Sequence, residues 1–324
     1  MNRNIKVILL LALISLVIFV LSLSSGTTFI SPLKFWSLFT EPNSSPELKI
    51  ILMFRLPRLI MALTLGSALA VSGVIFQAIL KNPLSDPFTI GVSSGAALGA
   101  SLGIIFHLNN ILISLLALGG GFMIAWLVYL VGKKQNLSTA TLILTGISLN
   151  FILSSAILLI FSLSESSQVH KTLLWMMGDL SIARYTVLWK LAPFLLIIVL
   201  ISYLYHRHLD LISLGDDFSS SSGITRQDKQ NLFWLATILA AIPVALAGVI
   251  GFVGLIIPHL TRFLFGHKHR QVIIFSALLG ALFLVFCDII ARTIALPYEI
   301  PIGIITGFLG GSFFLFIMMT RGTR

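Results

Sequence analysis

Long apolar runs separated by short polar breaks repeat along the whole chain. The runs cover residues 6–24, 58–80, 88–106, 111–132, 139–162, 188–205, 231–250, 252–265, 272–291 and 301–319. Hydrophobic residues make up 57% of the sequence and charged residues only 10%, whereas about a quarter of a soluble domain is charged. A membrane helix needs about 20 apolar residues. The pattern predicts an all-α polytopic membrane protein with about ten transmembrane helices in one domain, residues 1–324.

Two of the apolar runs differ from an ordinary membrane span. Val7–Leu23 follows basic residues like a signal peptide, but a convincing cleavage site is missing, so we expect an uncleaved first helix with both termini in the cytoplasm. The run 252–265 is too short to cross unaided, so we expect it to extend at one end or to be shielded by its neighbours. Residues 25–57 are expected to form an outer loop and residues 206–230 the longest inner loop.

The charge, the cysteine content and the absence of known motifs argue against several classes of function. The net charge of +10 suits the basic cytoplasmic loops of membrane proteins, and no nucleic-acid partner is expected because no basic cluster alternates with aromatic residues. Cys287 is the single cysteine, so no internal disulfide can form. Nucleotide-loop, G-x-S-x-G and H-E-x-x-H motifs are absent, so no catalytic residue, cofactor or metal site is expected.

Arginines cluster at the predicted outer surface. In Arg55-Leu56-Pro57-Arg58, the proline is expected to start the second span, since proline is tolerated in a first helical turn. The two guanidiniums either reach lipid headgroups or join Arg292 to bind a carboxylate-bearing partner. Asp288 and Arg292 are four residues apart, so they form a mutual ion pair or leave Arg292 free to reach outward.

Small residues fill the second and third spans. Gly91, Gly95 and Gly99 form two successive G-x-x-x-G patterns, which predict close helix packing. The break Lys81-Asn82-Pro83-Leu84-Ser85-Asp86-Pro87 between these spans cannot be a continuous helix. It either gates a pathway at the inner mouth or turns the chain, and spacing alone favours the turn.

Polar groups elsewhere carry weaker signals. Residues 214–223 read LGDDFSSSSG, which could build a short helix bounded by glycines, although a flexible serine linker is slightly favoured. His259 is expected to be packed rather than to bind a metal or proton, and the pairs His206/His208 and His267/His269 to lie in solvated loops. Asp288 is nearly the only carboxylate within a span, so the energy for any transport is expected to come from a partner rather than from ion coupling.

Several long motifs in a fixed order resemble the FecCD-type permease family, the membrane subunits of ABC importers for ferric siderophores, haem and vitamin B12. The motifs are RLPR at 55–58, SGVIFQ at 72–77, NPLSDP at 82–87, GVSSGAALGA at 91–100, WMMGDL at 175–180, AGVIGFVGLIIPHLTR at 247–262, D-x-x-x-R at 288–292 and EIPIGIITGFLGG at 299–311. The resemblance implies the ten-helix permease fold of the vitamin B12 importer, a type II ABC importer. The implied partners are a second identical or paralogous permease, two cytoplasmic ATPase subunits that use ATP, and an extracellular or periplasmic substrate-binding protein.

The resemblance also implies roles for individual residues in a prokaryotic cell membrane protein. Arg55, Arg58 and Arg292 match positions that dock the binding protein, and Asn82, Leu84 and Thr139 match the cytoplasmic gate. The loop at about 209–225 matches the segment that couples to the ATPase, with Leu214, Gly215, Asp216, Asp217, Ser219 and Gly223 as candidates. Ser219 and Ser222 stand where the family usually has alanine and leucine.

The expected function is ATP-driven import of an iron chelate by alternating access, with a ferric siderophore as the expected cargo. Import of haem or vitamin B12 is the alternative within the family. The rival class is a stand-alone secondary transporter.

Overall fold

The computed structural model describes residues 3–35, 46–135 and 138–321. These residues form thirteen helices and no strand. The helices are α1 Arg3–Ser24, α2 Pro46–Ile79, α3 Val92–Ile105, α4 Asn110–Lys134, α5 Thr139–Leu163, α6 Ser166–Met176, α7 Tyr185–Leu204, α8 His206–Ser213, α9 Asp216–Ser221, α10 Arg226–Ala247, α11 Val253–Phe265, α12 His269–Thr293 and α13 Ile302–Arg321. Each of the predicted spans coincides with one of these helices, so the predicted all-α class is confirmed.

Two of the spanning helices are short. α3 has 14 residues and α11 has 13, which gives each a length of about 20 Å against a hydrocarbon core of about 30 Å. α3 packs between α4 and α5, and α11 packs against α2 and α12. Neighbouring helices therefore shield their ends, as expected for the run 252–265.

Pro57 lies in the first turn of the α-helical stretch Leu56–Ile79, as predicted, but helical backbone continues back to Pro46, so α2 begins earlier than predicted. The helix starts at Pro46 and contains a π-helical turn over Ile51–Arg55, in which the Leu56 N–H bonds to the Ile51 carbonyl five residues back. At the same spacing the missing N–H of Pro57 would leave the Leu52 carbonyl without a donor. The Tyr185 hydroxyl donates to that carbonyl at 2.7 Å, so a side chain from α7 replaces the lost bond.

The predicted outer loop 25–57 is therefore helical from Pro46 onward, and its residues 36–45 lie outside the described part of the chain. A further difference is α6, an outer helix that the hydropathy pattern did not predict. Its first turn is held by a capping box between Glu165 and Gln168, which satisfies N–H groups that a helix start leaves free.

Helix α2 is the most deeply buried of the six long spanning helices in the described chain. It packs against α7, α10, α11 and α12. A Cβ atom placed on Gly66 would overlap the backbone of Gly280 in α12, and one on Gly73 would overlap the backbone of Gly254 in α11. The predicted close packing is confirmed, because these helices touch through backbone atoms.

The G-x-x-x-G pattern of α3 has the same effect on its contact with α4. A Cβ atom on Gly95 would overlap Gly120, and one on Gly99 would overlap the backbone of Leu116. Lipid offers no hydrophobic drive for helices to associate, so this close approach supplies the dispersion contacts that hold them together.

A proline in α11 creates a backbone acceptor that α2 uses. Pro258 has no N–H, so the carbonyl of Gly254, four residues earlier, lacks its helical donor. The Gln77 side-chain amide donates to the carbonyls of Gly254 at 3.2 Å and Leu255 at 3.3 Å. The Gln77 carbonyl oxygen in turn accepts a hydrogen bond from the Arg262 guanidinium. A buried amide thus ties α2 to both ends of the short helix.

Replacing Gly120 with alanine tests the packing of α3 on α4. The added methyl group would overlap the Gly95 carbonyl, and we expect a loss of about 1–3 kcal/mol in the free energy of unfolding. Gly119→Ala is the matched control, because a Cβ there meets nothing within 4 Å. Unfolding of the purified protein in detergent, followed by tryptophan fluorescence, measures both. Equal unfolding midpoints for the two variants would contradict the backbone contact.

Candidate functional site

At the end of the bundle that the predicted topology places outside the membrane, Arg55 caps the C-terminus of α1. The guanidinium is buried, and its Nη1 donates to the carbonyls of Leu23 at 2.6 Å and Ser24 at 2.9 Å. Its Nη2 also donates to the Thr28 carbonyl. The last carbonyls of a helix have no intrahelical donor and carry partial negative charge. The guanidinium therefore supplies these carbonyls with hydrogen-bond donors and with a positive charge.

Arg292 binds the same end of α1 from the other side. Its Nη2 donates to the Ser22 carbonyl at 3.3 Å and its Nη1 to the Ser25 carbonyl at 3.3 Å. Its Nε lies 3.0 Å from Oδ2 of Asp288. The predicted ion pair between Asp288 and Arg292 is therefore present.

Arg58 joins the network through two carboxylates. Its Nε lies 2.7 Å from Oδ1 of Asp288, and its Nη1 lies 2.7 Å from Oε2 of Glu299. Asp288 is fully buried, whereas the Glu299 side chain is 42% exposed. Two carboxylates and two guanidiniums thus neutralise one another around a buried centre.

The three predicted docking arginines are therefore brought together at the outer end, but all three are buried in the chain. Neither Arg55 nor Arg58 reaches lipid headgroups, so that interpretation is wrong. A docking role for these arginines stays a prediction. The most exposed group of this network is the Glu299 carboxylate. No role was predicted for Glu299 from the sequence, where it is the first residue of the motif at 299–311.

At the inner end, the break between α2 and α3 is built by its own polar side chains. Asn82 Oδ1 accepts a hydrogen bond from the Leu84 N–H at 2.9 Å, and Asp86 Oδ1 accepts from Phe88 and Thr89 at 3.0 Å each. These are the bonds that turn the chain, as the spacing favoured. Leu84 is 44% exposed, and its role as a gate stays a prediction.

The hydrogen bonds between the α2–α3 connection and α5 are made by Asn150, further along α5 than the predicted gate residue Thr139. Thr139 is the first residue of α5, next to the N-cap Ser138. Asn150, almost three turns further along, donates to the Phe88 carbonyl at 3.2 Å and accepts from the Ser94 hydroxyl at 2.7 Å. The sequence reasoning missed Asn150, although a lone amide in an apolar run is a signal for a buried polar contact.

Residues 214–223 form a short helix, so the favoured serine-linker interpretation is wrong. Helix α9, Asp216–Ser221, lies between Gly215 and Gly223, whose φ angles are 124° and 85°. The N–H groups of Gly223 and Ile224 bond back to Ser220 and Ser219, which is the Schellman end that glycine permits. The Ser219 hydroxyl is buried against the Asp216 carbonyl at 3.0 Å.

Asp216 links this helix to two other elements. Its Oδ2 lies 2.5 Å from Nζ of Lys81 in the α2–α3 break, and its Oδ1 lies 2.8 Å from Nζ of Lys229 in α10. Hydrogen bonds from Lys229 and then Lys81 lower the pKa of Asp216 from its ordinary value. Lys81 also has a φ of 46°, a left-handed backbone conformation that residues other than glycine rarely adopt. Two candidate groups from the sequence, the gate loop and the coupling loop, are therefore directly connected.

The expectation that His269 lies in a solvated loop is wrong. His269 is buried at the first turn of α12, and both its backbone N–H, at 2.9 Å, and its Nδ1, at 2.7 Å, contact Oδ1 of Asp210 in α8. The carboxylate thereby satisfies an N–H that the start of α12 leaves free.

His259 packs beside Phe314, with ring centroids 6.1 Å apart. Over the described residues, no group of three or more histidine, cysteine, aspartate or glutamate side chains could hold a metal ion.

Comparison with known proteins extends over nearly the whole chain. The profile of the FecCD transport family matches residues 13–320. The hemin transport permease HmuU of Yersinia pestis is 35% identical over 99% of this chain and 98% of its own length. The iron(3+)-hydroxamate import permease FhuG of Bacillus subtilis is 31% identical over 98% of each chain. The Fe(3+)-citrate import permease YfmD of the same species is 34% identical over 95% of this chain and 94% of its own.

Solved structures agree with the fold. An inward-facing transporter described as of the metal-chelate ABC type has a TM-score of 0.87 and 31% identity, and the match covers 97% of this chain and 99% of that one. PsaBC from Streptococcus pneumoniae has a TM-score of 0.56 at 17% identity, with 81% and 90% of the two chains covered, and this match concerns the fold alone.

The outer network yields a paired prediction. Asp288→Asn removes a buried carboxylate between two guanidiniums and is expected to lower the free energy of unfolding by about 3–5 kcal/mol. Glu299→Gln removes a partly exposed partner of Arg58, and we expect a loss of about 1 kcal/mol or less. Unfolding of both variants in detergent measures the difference. Equal losses would show that Asp288 is not the centre of the network.

Proposed function

The chain belongs to the FecCD transport family, and we propose that it is the permease subunit of an ATP-driven importer that carries a ferric chelate across the cell membrane. The observation that carries this proposal is the match to permeases over nearly the whole chain. The relatives named above transport iron in an organic chelate, as hemin, hydroxamate or citrate complexes. We propose a ferric siderophore as the cargo. Haem is the second candidate, supported by the 35% identity to a hemin permease.

We further propose that α5 faces a second permease, identical or paralogous, across the translocation path. In support, only 17% of its most apolar window is buried within the chain. Hydroxyl side chains recur along α5 every seven residues, at Thr141, Ser148, Ser155 and Ser162. A seven-residue spacing places them on nearly one face of a helix. A face of this kind suits a partner or a water-filled path better than lipid.

The cytoplasmic loop with α8 and α9 is proposed to seat two ATPase subunits, which would hydrolyse ATP in place of this chain. Leu214 and Phe218 are 65% and 50% exposed there. They are four residues apart, the other leucine and isoleucine side chains of this loop are buried or partly buried, and such an exposed apolar pair suits the groove of a partner. Asp216 then connects that contact to the Asn82–Leu84 break through Lys81.

A substrate-binding protein is proposed to dock at the outer end, over Arg55, Arg58 and Arg292. The support is the cluster of guanidiniums beneath the exposed Glu299 carboxylate. Because Glu299 already binds Arg58, an acidic partner would have to displace Glu299 to pair with that guanidinium.

The protein is a multi-pass membrane protein. We propose that both termini are cytoplasmic, since Lys133 and Lys134 then end α4 on the inner side.

Reconstitution tests the transport proposal directly. Proteoliposomes that contain this chain, its cognate ATPase and its binding protein are expected to take up ⁵⁵Fe-hydroxamate when ATP is enclosed with the ATPase. Omitting the ATPase, and supplying haem in place of the hydroxamate, are the two comparisons. Uptake without an ATPase would support the secondary transporter instead, and uptake of haem alone would replace the siderophore.

The Asp216 bridge predicts a coupling defect. Asp216→Asn removes the charge that Lys81 and Lys229 share, and we expect ATP hydrolysis to continue with at least a fivefold lower ratio of iron transported to ATP hydrolysed. Asp217→Asn is the matched control, because it removes one negative charge from the same helix end and leaves the bridge in place. It distinguishes loss of the bridge from loss of a negative charge at the surface proposed to bind the ATPase. If both variants lowered the ratio equally, the bridge would not be the cause.

A further inference from the structure

A groove with a basic rim lies where the C-terminus of α4 meets the N-terminus of α10. Its volume is about 540 Å³, and it is lined by Leu127, Leu130, Val131, Lys133, Lys134 and Arg226. This volume falls in the range of small-molecule sites, about 300–1,000 Å³. The groove lies apart from the residues assigned above to docking, gating or coupling.

The rim of the groove is held in place by the backbone. The Arg226 guanidinium donates to the carbonyl of Lys133 in the last turn of α4, where carbonyls lack helical donors. This bond fixes the first turn of α10 against the end of α4. Lys133, Lys134 and Arg226 consequently present three exposed cations around one opening.

The charge of this rim is not balanced within the groove. None of the six lining residues is acidic, so the three cations repel one another until an anion lies between them. Lys81, Lys229, Arg58 and Arg292, in contrast, each contact a carboxylate of the chain.

The floor of the groove is apolar and continues into the membrane-facing surface of α4. Leu130 and Val131 are 36% and 44% exposed, and Trp126, one turn before Leu130, is 51% exposed. A free phosphate ion would gain nothing from this surface. A molecule with an anionic head and acyl chains would contact both the cations and the apolar floor.

We propose that this groove binds an anionic phospholipid of the cytoplasmic leaflet. Its headgroup phosphate would lie among Lys133, Lys134 and Arg226, and its chains would lie along Leu127, Leu130 and Val131. Basic pockets between spanning helices on the cytoplasmic side suit such headgroups. The proposal does not depend on what the protein transports.

Native mass spectrometry of the purified, delipidated full chain in an uncharged detergent tests this site. Titration with dioleoylphosphatidylglycerol is expected to show one site that binds at least tenfold tighter than dioleoylphosphatidylcholine does. The variant Lys133→Gln/Lys134→Gln keeps the bond of Arg226 to the backbone and should remain folded. Each cation near an anionic lipid adds about fivefold to its binding, so the double variant should lose about 25-fold in affinity at this site.

The matched control is Arg207→Gln/Lys268→Gln, which removes two exposed cations from the inner surface outside the groove and should keep the tight site. Four results would overturn the proposal: equal affinity for the two lipids, equal loss in both double variants, competition by glycerol phosphate alone at similar concentration, or unchanged lipid binding in Lys133→Gln/Lys134→Gln. If that last variant also lost assembly with the ATPase, the groove would be assigned to the ATPase instead.

Discussion

An ionised carboxylate can be buried without a large loss of stability only when cations and hydrogen bonds replace its water. Asp288, near the outer end of α12, is fully buried: Arg58 of α2 donates a hydrogen bond to its Oδ1, and Arg292 of its own helix supplies a positive charge 3.0 Å from its Oδ2, which accepts no hydrogen bond from the described part of the chain. Arg292 extends the network to α1, whose last carbonyls are also bonded by Arg55. The outer ends of α1, α2 and α12 are therefore held together by buried guanidiniums that pair with Asp288 or donate to the last carbonyls of α1.

The inner end is held differently. Asp216 joins α9 to the α2–α3 break and to α10 through ion pairs in which its own side chain is 66% exposed. Pairs in water contribute only about 0–1 kcal/mol each, so they can break and re-form at small cost. The outer end of α2 is thus held by buried charged contacts, whereas the α2–α3 break that follows its buried inner end is joined to α9 by an exposed ion pair. For an importer driven from the cytoplasmic side, this arrangement would direct movement to the face where the ATPase is proposed to bind.

Local sequence predicted what depends on composition and spacing. Hydropathy located the ten spans, the G-x-x-x-G spacing predicted close packing of α3, and the four-residue spacing offered the pair of Asp288 with Arg292 as one of two alternatives. It could not predict contacts between distant parts of the chain. The start of α2 depends on a π-helical turn and on Tyr185, which is 133 residues from its partner Leu52. The burial of Arg55 depends on the end of α1, and that of His269 depends on Asp210 in another helix. The roles in docking, gating and coupling came from the family resemblance and stay proposals.

The difference between the outer end of α2 and the α2–α3 break is most directly tested by distances between spin labels in the chain assembled with its ATPase. One pair of labels would be placed at the exposed outer positions Met53 and Ile294, and a second pair at the exposed inner positions Leu84 and Ser221. Labelled chains would be diluted with unlabelled ones, and pulsed dipolar spectra recorded with and without ATP. The outer distance should stay constant to within about 2 Å, the scale of small helix shifts, while the inner distance changes by more. A constant inner distance, or an outer distance that changes as much as the inner one, would contradict the account.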